Sequence, residues 1–187
     1  MRNRIILILA VAVMVFTITA CGAEDTYMPP AVTQEEAQEA LTNIRPLFME
    51  LMHIFSPGLT SPDAGDDIIE DSEGRQRVRA YSDPNFPHIL STGDIGQELH
   101  RVFTREFTES TISPMLFQYY ADMYDGLHRL VDDFPTTWPW NDEIVSFTSL
   151  SHDRFEAEVT SNTDNNIRII LVRPNFAWFI DYISWND

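Results

Sequence analysis

Residues Arg154-Phe155-Glu156-Ala157-Glu158-Val159-Thr160 alternate apolar and polar side chains without interruption. A period of two places Phe155, Ala157 and Val159 on one side of an extended chain and Glu156, Glu158 and Thr160 on the other, the pattern of a strand with one face dry and one wet. Three more runs of similar length surround it: 144–150 (IVSFTSL), 167–173 (IRIILVR) and 176–185 (FAWFIDYISW). Thr163-Asp164-Asn165-Asn166 separates the second run from the third, and Pro174-Asn175 the third from the fourth. Both breaks carry hairpin chemistry, so the C-terminal third predicts a four-stranded antiparallel meander.

Upstream the period changes to that of a helix. Thr33-Gln34-Glu35-Glu36 has the form of a capping box, with a hydroxyl cap three residues before a glutamate. Ala37, Leu41, Ile44, Phe48, Leu51 and Phe55 then recur at helical spacing, which predicts one apolar stripe over residues 34–55. Pro46 inside that stretch is expected to kink the helix or split it, because proline has no N–H to continue the ladder. Ile68-Ile69 and Arg77-Val78-Arg79-Ala80-Tyr81 flank Ser72-Glu73-Gly74 as a short hairpin. Helix signals resume at Ser91-Thr92-Gly93-Asp94. Ile95, Leu99, Val102, Phe103, Phe107, Ile112, Leu116 and Phe117 carry them to about Met123, with a restart at Pro114. Tyr124-Asp125-Gly126-Leu127 turns into a short strand ending near Val131. Helices first and antiparallel strands last make an α+β domain, with N-terminal helices packed on a C-terminal four-stranded antiparallel meander. No internal repeat is present.

The extreme N-terminus has a different purpose. Met1-Arg2-Asn3-Arg4 is basic, and residues 5–20 (IILILAVAVMVFTITA) form an apolar run that ends on a small residue before Cys21, the only cysteine. This is the layout of a secretory signal. Sixteen residues at about 1.5 Å each reach about 24 Å, short of the roughly 30 Å core of a bilayer. Ile18-Thr19-Ala20-Cys21 resembles the lipobox of bacterial lipoproteins, with isoleucine where leucine is usual. That resemblance implies cleavage before Cys21, a lipid on its thiol and an extracytoplasmic location on a bacterial membrane. The organisation expected is a signal peptide over 1–20, a tether over 21–32 containing Pro29-Pro30, and one domain over 33–187.

Charge narrows the partners. The chain has 29 acidic residues against 12 arginines and no lysine, for a formal balance of −17. Loss of Arg2 and Arg4 with the signal leaves 10 arginines and −19. Such a surface repels nucleic acid and anionic headgroups, and suits a basic protein or simple solubility beside a membrane. Aromatic content of 12% argues for a packed core.

Recognisable catalytic settings are lacking. His53, His88, His100, His128 and His152 are spread with no two within ten residues, so no paired-histidine metal face arises. There is no GxSxG and no phosphate-cradling glycine loop. Asp63, Asp66, Asp67, Glu70 and Asp71 miss the EF-hand spacing and read as a solvated acidic loop. No cofactor or metal is expected. Trp138-Pro139-Trp140 either anchors a ligand or protein partner or lids the core where helices meet the sheet. Tyr119 and Tyr120 are adjacent on the predicted helix, so at most one faces the core and the other is a contact candidate. An enzyme on this fold would need a titratable dyad in the interior, for which His152 and Asp181 are the strand-borne candidates.

Helices followed by such a meander resemble the cystatin-like and nuclear-transport-factor-two-like rolls. Asn175-Phe176-Ala177-Trp178-Phe179-Ile180-Asp181 stands where those folds place a closing strand, here without the usual glycine. A nearer resemblance, over about residues 75–185, is to the bacterial DL-endopeptidase inhibitor (IseA) family. Tyr81 before a loop, Phe103-Thr104-Arg105-Glu106-Phe107-Thr108, Tyr124-Asp125-Gly126-Leu127 and Trp138-Pro139-Trp140 come in the family's order. The lysine of that family's turn is replaced by Leu127-His128. The resemblance implies a secreted, non-enzymatic binder of a cell-wall peptidase. The alternative is a small-molecule or peptide binder, or an isomerase or dehydratase, working in a pocket between helix and sheet.

Overall fold

The computed structural model describes residues 29–55, 59, 68–80, 86–131, 140–161 and 166–184. The chain divides into two units, Met1–Pro30 and Ala31–Asp187, and every helix and strand described belongs to the second. Cys21, the signal and most of the tether lie outside the described residues, as do Tyr81, Trp138 and the acids Asp63, Asp66 and Asp67.

Helix α1 spans Gln34–Phe55. Thr33 caps it: its hydroxyl accepts from the Glu36 amide at 3.1 Å and its carbonyl from Ala37 at 2.9 Å. The Glu36 carboxylate meets the Arg173 guanidinium. Pro46 does not split α1, which is a single helix. Nine of its side chains are buried, including Leu41, Ile44, Phe48, Leu51 and Phe55 of the predicted stripe. Tertiary packing of that stripe outweighs the one backbone bond that proline cannot make.

The second helix, α2 (Thr92–Leu99), starts at a Ser91 cap whose hydroxyl accepts from the Asp94 amide. It stops sooner than the apolar spacing predicts. Val102 and Phe103 lie beyond it, at the end of a turn in which both their amides donate to Leu99 O, at 3.1 and 2.9 Å. There Ile180 bonds both sides of Phe103: Ile180 N–H to Val102 O at 2.8 Å and Thr104 N–H to Ile180 O at 2.9 Å. The third helix, α3, runs through an α-turn Arg105–Phe107, a π-turn Thr108–Ile112 and a last α-turn Ser113–Leu116. Pro114, the expected restart, lies in that last turn and has no N–H to give the Ser110 carbonyl.

The helix predicted to reach Met123 gives way to strand β3 (Tyr120–Met123). Tyrosine favours a strand, and here it has a specific tie: the Tyr120 hydroxyl donates to Ile54 O and accepts from Leu59 N, each at 2.8 Å. β3 turns through Tyr124-Asp125 into β4 (Gly126–Leu130), with Gly126 at φ 130, a conformation that side-chain-bearing residues rarely adopt. β4 in turn pairs with β2 (Gln76–Arg79), and β2 with β1 (Ile69–Glu70), giving one antiparallel sheet in the order β1-β2-β4-β3. The hairpin and the lone strand of the sequence pattern are therefore parts of one sheet, joined across some fifty residues at Arg77↔Leu130 and Arg79↔His128.

The second sheet is the predicted meander, in the order β5-β6-β7-β8: Trp140–Ser151, Arg154–Ser161, Ile167–Val172 and Phe179–Ser184. The protein is thus mixed α and β, with three helical stretches and two four-stranded antiparallel sheets. Phe155, Ala157 and Val159 of β6 are buried, as the alternation requires, with Ile167, Ile169 and Leu171 of β7. They belong to one apolar core with the α1 stripe and Ile180 and Ile183 of β8.

Candidate functional site

Strand β8 departs from alternation, and the departure builds a site. Ile180 and Ile183, three apart, are both buried. Leu171 pairs with Ile180 and Ile170 with Tyr182, so Asp181 is an extra residue, a β-bulge. The bulge turns Asp181 toward Thr104, whose hydroxyl donates to Oδ1 at 2.9 Å, and toward Arg154, whose guanidinium lies 3.0 Å from Oδ2. Thr104 is also the N-cap of α3, accepting from the Phe107 amide, so one hydroxyl fixes both the helix start and the bulged carboxylate. Between them lies a shallow groove of about 240 Å³ lined by Glu106, Phe107, Ser110, Arg154 and Asp181.

A second groove, of about 400 Å³, crosses the solvent-facing side of the meander and is lined by Ser146, Glu156, Glu158, Asn166, Arg168, Tyr182 and Ser184. The half-exposed Tyr182 ring stands 6.2 Å from Phe107, so this aromatic pair separates the two grooves. Arg168 donates to Glu156 at 2.6 Å and lies 5.6 Å from the Tyr182 ring centre, a cation–π contact. That hydrogen bond holds Glu156 below the usual carboxylate range and raises Arg168, so both stay charged at neutral pH. Glu158 accepts from Ser146 and from Asn166, each at 3.1 Å.

No protein-family model matches the chain, and no curated protein matches it. Among the described residues no group of three or more His, Cys, Asp or Glu side chains is placed to hold a metal, and no helix is long and apolar enough to cross a membrane.

The residues singled out from sequence do not converge. Asp181 lines the smaller groove, but both its oxygens are engaged. His152 lines neither groove; it stands half-exposed in the β5–β6 turn, nearest to Asp153 at 3.8 Å, so the expected dyad does not form. Trp140 is fully buried, edge-on to Phe48 at 5.5 Å, which makes it a core residue and removes it as a contact. Tyr120 is buried in β3, and Tyr119 is partly buried against the core. Sequence reasoning missed Glu156, Glu158, Arg168 and Tyr182 as a group. Their signal was present in the alternation of β6 and β7, which places Glu156, Glu158 and Arg168 on the wet face.

Proposed function

We propose that this protein is a bacterial lipoprotein, cleaved before Cys21 and anchored outside the cytoplasm by lipid on that residue. Its α+β roll, with helices packed on the meander, binds a basic protein without catalysis. A cell-wall peptidase fits this role, as for the DL-endopeptidase inhibitors that the sequence resembles. One observation carries the partner's charge. Each of the ten arginines beyond the signal already has a partner within the protein. Eight of them face carboxylates, and Arg45 and Arg129 donate to the Trp140 and Leu130 carbonyls. With cations committed internally and 29 acids in the chain, the charge left to offer a partner is negative. The alternative is a small-molecule pocket beside β8. That second reading rests on the bulge at Asp181, since bulges often re-aim a side chain beside an active site.

Two outcomes are expected. Purified protein added to a DL-endopeptidase digesting peptidoglycan should slow fragment release, and the effect should fade with salt; digestion at an unchanged rate sinks the inhibitor reading. Cys21→Ser should abolish incorporation of labelled fatty acid and move the protein from the membrane to the soluble fraction.

A further inference from the structure

We infer that a cationic segment of the partner docks in the groove between Glu158 and Tyr182 on the solvent-facing side of the meander. This rests on the reading of the domain as a binder of a basic protein, and gives that reading a place and a chemistry.

The protein carries an internal version of the contact. Glu156 and the Tyr182 ring hold the Arg168 guanidinium between a carboxylate and an aromatic face. Two residues along the same face of β6, Glu158 lines the same groove. Among the described residues it has no arginine or histidine within ion-pair distance. Its two hydrogen bonds come from neutral groups, one to each oxygen: Ser146 to Oε2 and Asn166 to Oε1. Each carboxylate oxygen accepts two bonds, so Glu158 is held in orientation with acceptor capacity left over. Because the carboxylate is fixed in advance, Glu158 loses less side-chain freedom on meeting a cation than a free surface glutamate would. Ser146 and Ser184 on the groove walls are short, which lets a partner's backbone come close. The occupant is an exposed arginine- or lysine-bearing segment of a protein; a phosphate-bearing ligand would meet Glu156 and Glu158 together.

The test uses the full chain in neutral detergent and a fluorescein-labelled decapeptide of alternating arginine and glycine, read by anisotropy at low salt, where exposed charge pairs are least screened. Glu158→Gln keeps the side-chain shape and is expected to weaken binding roughly tenfold. Glu39→Gln removes the same charge from an exposed position on α1 and should change it less than about twofold. Tyr182→Leu, on the other wall, should weaken binding severalfold, and thermal melts of each variant separate loss of the site from loss of fold. Equal weakening by Glu158→Gln and Glu39→Gln, or no weakening by Glu158→Gln and Tyr182→Leu, overturns the docking site while leaving a basic partner in place. If the peptide does not bind the native chain at all, both inferences fall.

Discussion

Replacing Trp140 by alanine is expected to remove about 3–5 kcal/mol of folding stability, the range for deleting a large aromatic from a packed core. Trp140 heads the fully buried side chains by volume, with no exposed surface. Its ring meets Phe48 of α1 at 89° and 5.5 Å, and Phe48 in turn meets Phe103 at 6.0 Å. Its carbonyl accepts from the Arg45 side chain at 2.8 Å, so backbone and ring both tie the start of β5 to α1. The indole nitrogen has no hydrogen-bond partner among the described residues. Removing that donor while keeping the ring recovers some of the cost of burying it, so Trp140→Phe should lose far less than Trp140→Ala. Urea denaturation followed by far-UV circular dichroism measures both. A Trp140→Ala variant with native stability and impaired partner binding would restore the contact role that its burial removes.

Trp140 marks the boundary of what the sequence could tell. The meander was legible because its signal is local: an alternation written within each strand and turn chemistry between strands. Helix α1 was legible for the same reason, and its 22 residues match the predicted stretch end to end. The first sheet was legible only in pieces, the β1–β2 hairpin and the strand that starts at Gly126. Its assembly was not, because β2 and β4 meet only after the chain has made two helices, and no periodicity encodes which strand lies beside which. Tyr120 illustrates the limit at one residue. Its neighbours continue a helical apolar spacing, but the hydroxyl's two bonds, to Ile54 and Leu59 more than sixty residues away, fit it to a strand start. The site was half legible. Asp181 could be named, but its partner Thr104 lies 77 residues upstream, and the bulge that joins them shows in sequence only as the odd spacing of Ile180 and Ile183.

Asp71→Asn is expected to be the most damaging polar substitution, lowering Tm by roughly 10 °C at neutral pH. Sequence pattern placed Asp71 in a solvated acidic loop; in the structure it is the counter-ion of a buried arginine. Its Oδ1 accepts from the Glu73 and Arg75 amides at 2.9 and 3.0 Å, closing the β1–β2 turn. Its Oδ2 accepts from Arg75 Nε at 2.9 Å and Arg77 Nε at 2.7 Å. Arg77 is 1% exposed and donates also to the Tyr119 carbonyl at 3.1 Å, so it links the turn to the entry of β3. Asparagine keeps an oxygen for the two amides but puts an amide donor against the guanidinium and leaves its charge buried without a counter-ion. The Arg77 hydrogen bond, with the Arg75 amide, holds the Asp71 carboxyl far below its ordinary value near 3.8. A group depressed in the folded state stabilises the fold above its unfolded value and loses that contribution as pH falls toward the folded one. The gap in Tm between native protein and Asp71→Asn should therefore be full at pH 5 and above, then narrow steadily from about pH 4 downward. A gap that stays constant to pH 2 would mean that Asp71 acts by shape and not by charge. Adding Arg77→Met to Asp71→Asn removes the stranded cation and should recover much of the loss, because a buried pair costs most when only one member is taken away.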